Sequence, residues 1–231
     1  MSPAPCTADG FSVNPIRLEL RPSQNAASLT VTNYNTGALL MQVRVYRWDH
    51  KDRDDQLTEI AGRYAPIVTP PLFRLEAGGG SQVVRIGFLK SSPPPVEERR
   101  WRVIIEEVPT QAADAPPSSP PMSVAIHMRI SLPLLQLPPT IHQDLQWTLI
   151  RSTPGWVKLT AANLGNITER LDEIRLGGGD GARATGPWYL FPGERRTFDL
   201  RPQMMPLAGD VELNVQGTPR PLTRELVLSA Q

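Results

Sequence analysis

Proline sets the first limit on this chain. It fills 25 of the 231 positions, about twice ordinary usage. A ring that fixes φ and removes an amide donor breaks helices, and sheets accept it only at edges, strand starts and bulges. Long helices are thereby excluded, and short strands joined by turns are favoured. Hydrophobic residues make up 40% of the chain, enough to build packed cores, so global disorder is excluded as well. The length suits one large domain or two ordinary ones.

Charge and motif content remove several function classes. Lys and Arg total 24 against 23 Asp and Glu, a formal charge of +1, which gives no bulk attraction to nucleic acid or to an anionic membrane. No run of 18 apolar residues occurs, so no membrane-spanning helix is expected. The start, Met1-Ser-Pro-Ala-Pro-Cys6, lacks the charged and apolar regions of a signal peptide. Either the protein stays in the cytoplasm or the chain is a mature form given a new start Met. Cys6 is the single cysteine and allows neither an intrachain disulfide nor a Cys-rich zinc site. Its place is a free thiol in a loose tail over residues 1–10.

Enzyme signatures are missing. His50, His127 and His142 are scattered, without companions at metal-ligand spacing. No G-x-S-x-G elbow is present. Gly78–Gly80 and Gly177–Gly181 lack the Lys-Ser/Thr of a phosphate loop and read as hairpin turns. The cluster Asp49–Asp55 reads as a solvated loop, since Glu59 is out of register for a calcium site. Asn166-Ile-Thr168 matches a glycosylation sequon, a pattern common by chance. No catalytic residue, metal or cofactor is expected.

Apolar residues alternate with period 2, as half-buried strands require. Leu29, Val31 and Asn33 form one such row; Met41, Val43 and Val45 form another. Val83–Ile86 and Trp101–Val108 follow, with turn signals at Asn33–Gly37 and Ala77–Ser81. A second series comprises Leu145–Leu149, Trp156–Thr160, Glu169–Leu176, Arg196–Leu200, Val211–Val215 and Glu225–Leu228. Strands about 8–12 residues apart indicate β-sandwiches. The expectation is all-β, with a first sandwich over 11–137, a hinge over 138–142 at Pro138-Pro139, and a second sandwich over 143–231.

One segment exceeds ordinary strand length. From Met122 to Leu134 the even positions are Met122, Val124, Ile126, Met128, Ile130, Leu132 and Leu134. The segment is either a long core strand or a strand whose row faces partly outward, offered to another protein by strand addition. The proline-rich stretch Pro116–Pro121 leads into it, and an uncovered apolar edge is a liability for a lone protein.

Several phrases then fit together: Arg17 within Val13–Leu20, Ser28-Leu-Thr-Val-Thr-Asn33, Ile67-Val-Thr-Pro-Pro-Leu-Phe-Arg-Leu75, Gln82–Ile86, Glu97–Arg102, Glu107-Val-Pro109 and Arg129-Ile-Ser-Leu-Pro133. In this order they resemble the periplasmic pilus chaperones of the PapD-like superfamily, and the Ser-Leu-Pro ending resembles its archaic, Csu-type branch. The second half is similar more weakly, through Trp188–Glu194. The resemblance implies two immunoglobulin-like domains in a boomerang, a periplasmic location, and pilus or fimbrial subunits and an outer-membrane usher as partners. It implies donor-strand complementation, with Met122, Val124, Ile126 and Met128 as donor residues, and Arg17 as anchor for the subunit's C-terminal carboxylate. Ser131 stands where many members carry Lys, leaving Arg102 or Arg129 to supply a second cation. Self-association of the free chaperone stays open, as does the alternative of an adhesion or structural module without chaperone activity.

Overall fold

Where polar and apolar residues alternate, the backbone extends and buries one face. β12 (Val157–Asn163) shows the principle: Val157, Leu159, Ala161 and Asn163 are buried, while the residues between them are partly exposed. A computed structural model of the chain describes residues 10–49, 57–59, 65–89, 94–109, 127–152, 155–177, 181–201, 210–218 and 222–227. Every regular element among them is a strand, and the described residues form two compact units.

The first unit contains β1 (Phe11–Asn14), β2 (Leu18–Leu20), β3 (Ala26–Asn33), β4 (Leu39–Arg47), β5 (Thr58–Glu59), β6 (Ile67–Thr69), β7 (Leu72–Leu75), β8 (Ser81–Gly87), β9 (Arg99–Glu107) and β10 (Arg129–Gln136). One sheet runs β1-β3-β8-β6; the other runs β2-β10-β9-β4-β5, with β7 also on β4. Their inner faces enclose one core, which includes Leu20, Val31, Met41, Ile86, Val103, Ile105 and Leu134.

Prolines stand at two points where the chain changes sheets. β1 pairs with β3 and β2 pairs with β10, and Pro15 lies between them. β6 pairs with β8 and β7 pairs with β4, and Pro70-Pro71 lies between them. A residue without an N–H ends one ladder at no hydrogen-bond cost just where the next begins. The Asn14–Pro15 and Thr69–Pro70 bonds are cis. The period-2 reading found neither β1 nor β2, because each offers only two alternating buried residues, Phe11 and Val13 before Pro15 and Leu18 and Leu20 after it.

The second unit comprises Val96–Glu98 and Pro138–Gln231. Beside β12 it contains β11 (Leu145–Arg151), β13 (Glu169–Leu176), β14 (Ala182–Leu190), β15 (Arg195–Leu200), β16 (Asp210–Thr218) and β17 (Leu222–Val227). One sheet runs β11-β12-β15 and the other β14-β13-β16-β17. β13 carries a bulge between Leu171 and Glu173 against both neighbours. Gly217 and Gly186 flank it: a Cβ would lie 2.0 Å from Arg170 O at the first and 2.4 Å from Leu171 O at the second. Period-2 reading missed β14, whose alternation Gly186-Pro187 interrupts.

The two units repeat one device that their sequences do not show. Asn33, at the end of β3, is fully buried. Its Nδ2 donates to Gly37 O at 2.9 Å and Glu76 O at 3.0 Å, and its Oδ1 accepts from Asn35 N. Asn163, at the end of β12, is equally buried, donates to Ile167 O at 2.8 Å and Leu190 O at 2.9 Å, and accepts from Gly165 N. The backbone carbonyl of each Asn accepts from a glycine of positive φ, Gly79 and Gly193. Each side chain thus donates to one carbonyl of the turn that follows it and to one carbonyl of a segment far along the chain.

The sequon residues of the second unit are committed inside the protein. Asn166 Nδ2 donates to Thr140 O at 2.8 Å and Val96 O at 3.2 Å, and its Oδ1 accepts from His142 N. Thr168 donates through both its hydroxyl and its backbone N–H to the buried Glu98 carboxylate. Glu169 is buried as well. Desolvation pushes its carboxyl above the ordinary 4.5; the hydrogen bond from Gln143 opposes this, and the charge on Glu98 adds to it.

Two predictions follow from these contacts. Asn33→Ala and Asn163→Ala should each cost on the order of 3 kcal/mol in the unit that carries the change, because buried carbonyls lose their donors; domain-resolved thermal unfolding reads it. A raised folded-state value means that Glu169 favours folding most fully at acid pH and loses that contribution as pH rises through the folded value. Glu169→Gln should therefore raise the melting temperature of the second unit at neutral pH. The gain should vanish as pH falls below 4.5.

Candidate partner-binding site

β10 is antiparallel to β9 along its whole length, from Arg129↔Glu106 to Gln136↔Arg99. Glu107 N donates to Met128 O, so even residues of this strand turn their backbone groups toward β9. Leu137 N donates to Leu20 O, so odd residues turn theirs to the opposite edge. β2 covers that edge in parallel only from Leu134↔Leu18 to Gln136↔Leu20. Among the described residues no strand pairs with the edge between Arg129 and Pro133.

Side chains alternate on the same parity. The even row lies on the core side, and its burial falls steadily along the strand. Leu134 is 0% exposed and Leu132 2%, Ile130 is partly buried against the core, and Met128 is 37% exposed. The row that builds the domain core is thus leaving it at Met128. There Met128 lies against the start of β1: a Cβ on Gly10 would sit 3.0 Å from its Sδ. Met122, Val124 and Ile126, the other expected donor residues, lie outside the described residues.

The odd row faces the other way with Arg129, Ser131, Pro133 and Leu135. Register places Glu106, Ile104 and Arg102 of β9 opposite the first three, and Glu19 of β2 beside Leu135. Arg17, which precedes β2, comes next to Pro133 on this face. Arg102 thus lies opposite Pro133 on the β9 side, and on the other side Arg17 immediately precedes Leu18, the partner of Leu134. Arg17 Nε holds Glu19 Oε1 at 2.7 Å. The guanidinium of Arg102 lies 3.8 Å from the ring centre of Trp48, a cation–π contact that holds it flat.

Arg129 stands apart, about 13 Å along the strand from Pro133, with its Nε 3.9 Å from Glu106. The structure therefore groups Arg17 with Arg102 and leaves Arg129 outside the pair. Ser131 Oγ is buried without a hydrogen-bond partner. Glu19, Trp48 and Gly10 complete the surroundings. Sequence reasoning did not find them, although the Leu18-Glu-Leu20 alternation marks Glu19 as a neighbour of Arg17. Among the described residues no group of His, Cys, Asp or Glu could hold a metal ion, and no helix is long and apolar enough to cross a membrane.

The burial gradient makes a prediction. Leu132→Asp places a charge in the core and should unfold the first unit, whereas Met128→Asp should leave its unfolding free energy within about 1 kcal/mol of the parent, as denaturant titration reads it.

Comparison with known proteins bears on this arrangement. Residues 10–142 match the family model described as pili and flagellar-assembly chaperone, PapD N-terminal domain. No curated protein sequence matches the chain. Among solved structures it is similar to the Salmonella enterica SafA pilin in complex with the SafB chaperone, with 21% identity, TM-score 0.67, and 95% of this chain and 97% of that one covered. It is similar to the CsuC–CsuE chaperone–tip adhesion subunit pre-assembly complex from archaic Csu pili of Acinetobacter baumannii, with 18% identity, TM-score 0.64, and 95% and 99% covered. The Pseudomonas aeruginosa CupB2 chaperone gives 19% identity, TM-score 0.61, and 94% and 100% covered. These likenesses give the fold, two immunoglobulin-like domains, and their closely similar identities do not single out a branch. The family model covers more than half of the chain, and the chain therefore belongs to the pili and flagellar-assembly chaperones with a PapD N-terminal domain.

Proposed function

We propose that this chaperone works by lending the strand that ends in β10 to pilus or fimbrial subunits whose own sandwich lacks a strand. The observation that carries this reading is the coincidence of two features on one strand. The even row leaves the core toward Met128, and the outer edge from Arg129 to Pro133 is unpaired among the described residues. An incomplete sandwich exposes the complementary defects, an apolar slot and unpaired backbone groups. Main-chain hydrogen bonds satisfy the second, and alternate side chains fill the first.

Met122, Val124, Ile126 and Met128 are the residues that would enter the slot, each contributing about 1.5–3 kcal/mol before ordering costs. Methionine at both ends suits pockets of imperfect fit. Arg17 and Arg102 form the anchor for the subunit's terminal carboxylate. A carboxylate above Pro133 is within reach of both, and guanidinium groups grip it with paired hydrogen bonds. Such a carboxylate competes with Glu19 for Arg17.

The reading places the protein in the periplasm, delivering subunits to an outer-membrane usher without a cofactor or a chemical step. Complexes of related chaperones with a pilin and with a tip subunit support the choice of partner.

Val124→Asp and Ile126→Asp should leave the chaperone folded and cut subunit capture at least tenfold each, since each loses one buried apolar group. Pull-down of co-expressed subunits, with circular dichroism of the chaperone alone, checks both halves; unfolding of both variants would refute the donor assignment. Arg17→Ala and Arg102→Ala should each weaken capture by about tenfold, while Arg129→Ala should change it little. Unchanged capture by the Arg17 variant would remove that residue from the site.

A further inference from the structure

We propose that Pro133 is a register stop that keeps β2 from closing the open edge of β10. The inference rests on the reading of that edge as the partner-facing one. The parallel ladder between β2 and β10 can be followed bond by bond. With Leu137 N on Leu20 O, and Leu134, Leu135 and Gln136 opposite Leu18, Glu19 and Leu20, the first bond of the ladder runs from Leu18 N–H to Pro133 O. The next bond upstream would run from the N–H of residue 133 to Ile16 O. Proline has no N–H to give, and pairing stops at that step.

Ile16 and Arg17 confirm where the ladder ends. Both fall in a bend rather than in β2. Ile16 is 73% exposed, although it continues an apolar alternation with Leu18 and Leu20 that would run on beside β10. The proline costs the domain nothing on its other side. Its backbone position is odd, so the β9 ladder, which uses the even residues, never calls on residue 133 for a donor. A proline here removes one bond from one edge and leaves the other edge whole.

The consequence is a division of one strand edge between two users. β2 holds the part after Pro133, and the part before it, with the N–H and C=O groups of Arg129 and Ser131, is left for a partner strand. Arg17 sits at the boundary, just where an incoming strand aligned with β2 would end. With an ordinary residue at 133 the chain's own segment Ile16–Arg17 would be free to zip upstream and occupy the strip.

Amide hydrogen exchange of the free protein by NMR tests this. In the unaltered chain the Leu18 and Leu20 amides should be protected and the Ile16 amide unprotected. In Pro133→Ala the new amide at 133 should exchange about tenfold or more slowly than that of Ser131, and Ile16 should gain protection with it. Pro133→Val provides the same donor with higher strand propensity, should the alanine variant fold poorly. A protected Ile16 amide in the unaltered chain would overturn the proposal, and so would a residue 133 amide that exchanges as fast as that of Ser131 in both variants. The exchange is read without a subunit and the donor assignment through capture by Val124→Asp, so the two can fail separately.

Discussion

The two edges of β10 are unequal, and the rest of the first unit follows from that inequality. One edge is bonded to β9 over all eight residues of the strand. The other is bonded to β2 over only three, Leu134 to Gln136. Backbone polarity alternates strictly along a strand, so the two edges are independent: what happens at the odd residues leaves the even ladder intact. A strand can in this way be fixed firmly in its own domain and still present unpaired groups to another.

The same alternation fixes the side chains. The even row feeds the core through Leu134 and Leu132 and has emerged by Met128. The odd row, on the opposite face, sets Pro133 opposite Arg102, close to the start of β2 that Arg17 precedes. Each arginine has a neighbour that orients it. Glu19 holds Arg17, and the face of Trp48 supports Arg102. A cation that is already oriented loses less entropy when it meets a carboxylate.

Much of this could be read from the chain. The all-β architecture was legible because Leu29–Asn33, Met41–Val45 and Leu145–Leu149 alternate cleanly, and proline density excluded the helical competitor. The length of the apolar row ending at Leu134 also drew attention to the segment that contains β10. What stayed hidden depends on contacts between distant segments. β1 and β2 are too short for periodicity to register and are separated by Pro15. The paired roles of Asn33 and Asn163 rest on carbonyls of Glu76 and Leu190, far along the chain in each case. That Arg102 lies opposite Pro133 while Arg129 pairs with Glu106 emerges only from strand register. The sequon pattern at Asn166 is common by chance, and its sequence did not show that the fold uses the Asn166 amide and the Thr168 hydroxyl in hydrogen bonds to Thr140 O and Glu98.

The most direct test of the central claim is a photo-cross-linking scan of residues 122–129, one position at a time, in the chaperone co-expressed with its subunits. Donor-strand complementation predicts a period of two: strong cross-links from Met122, Val124, Ile126 and Met128, which would lie inside the subunit's slot, and much weaker ones from the odd positions between them. Uniform cross-linking along the segment, or none at the even positions while the chaperone stays folded, would contradict it.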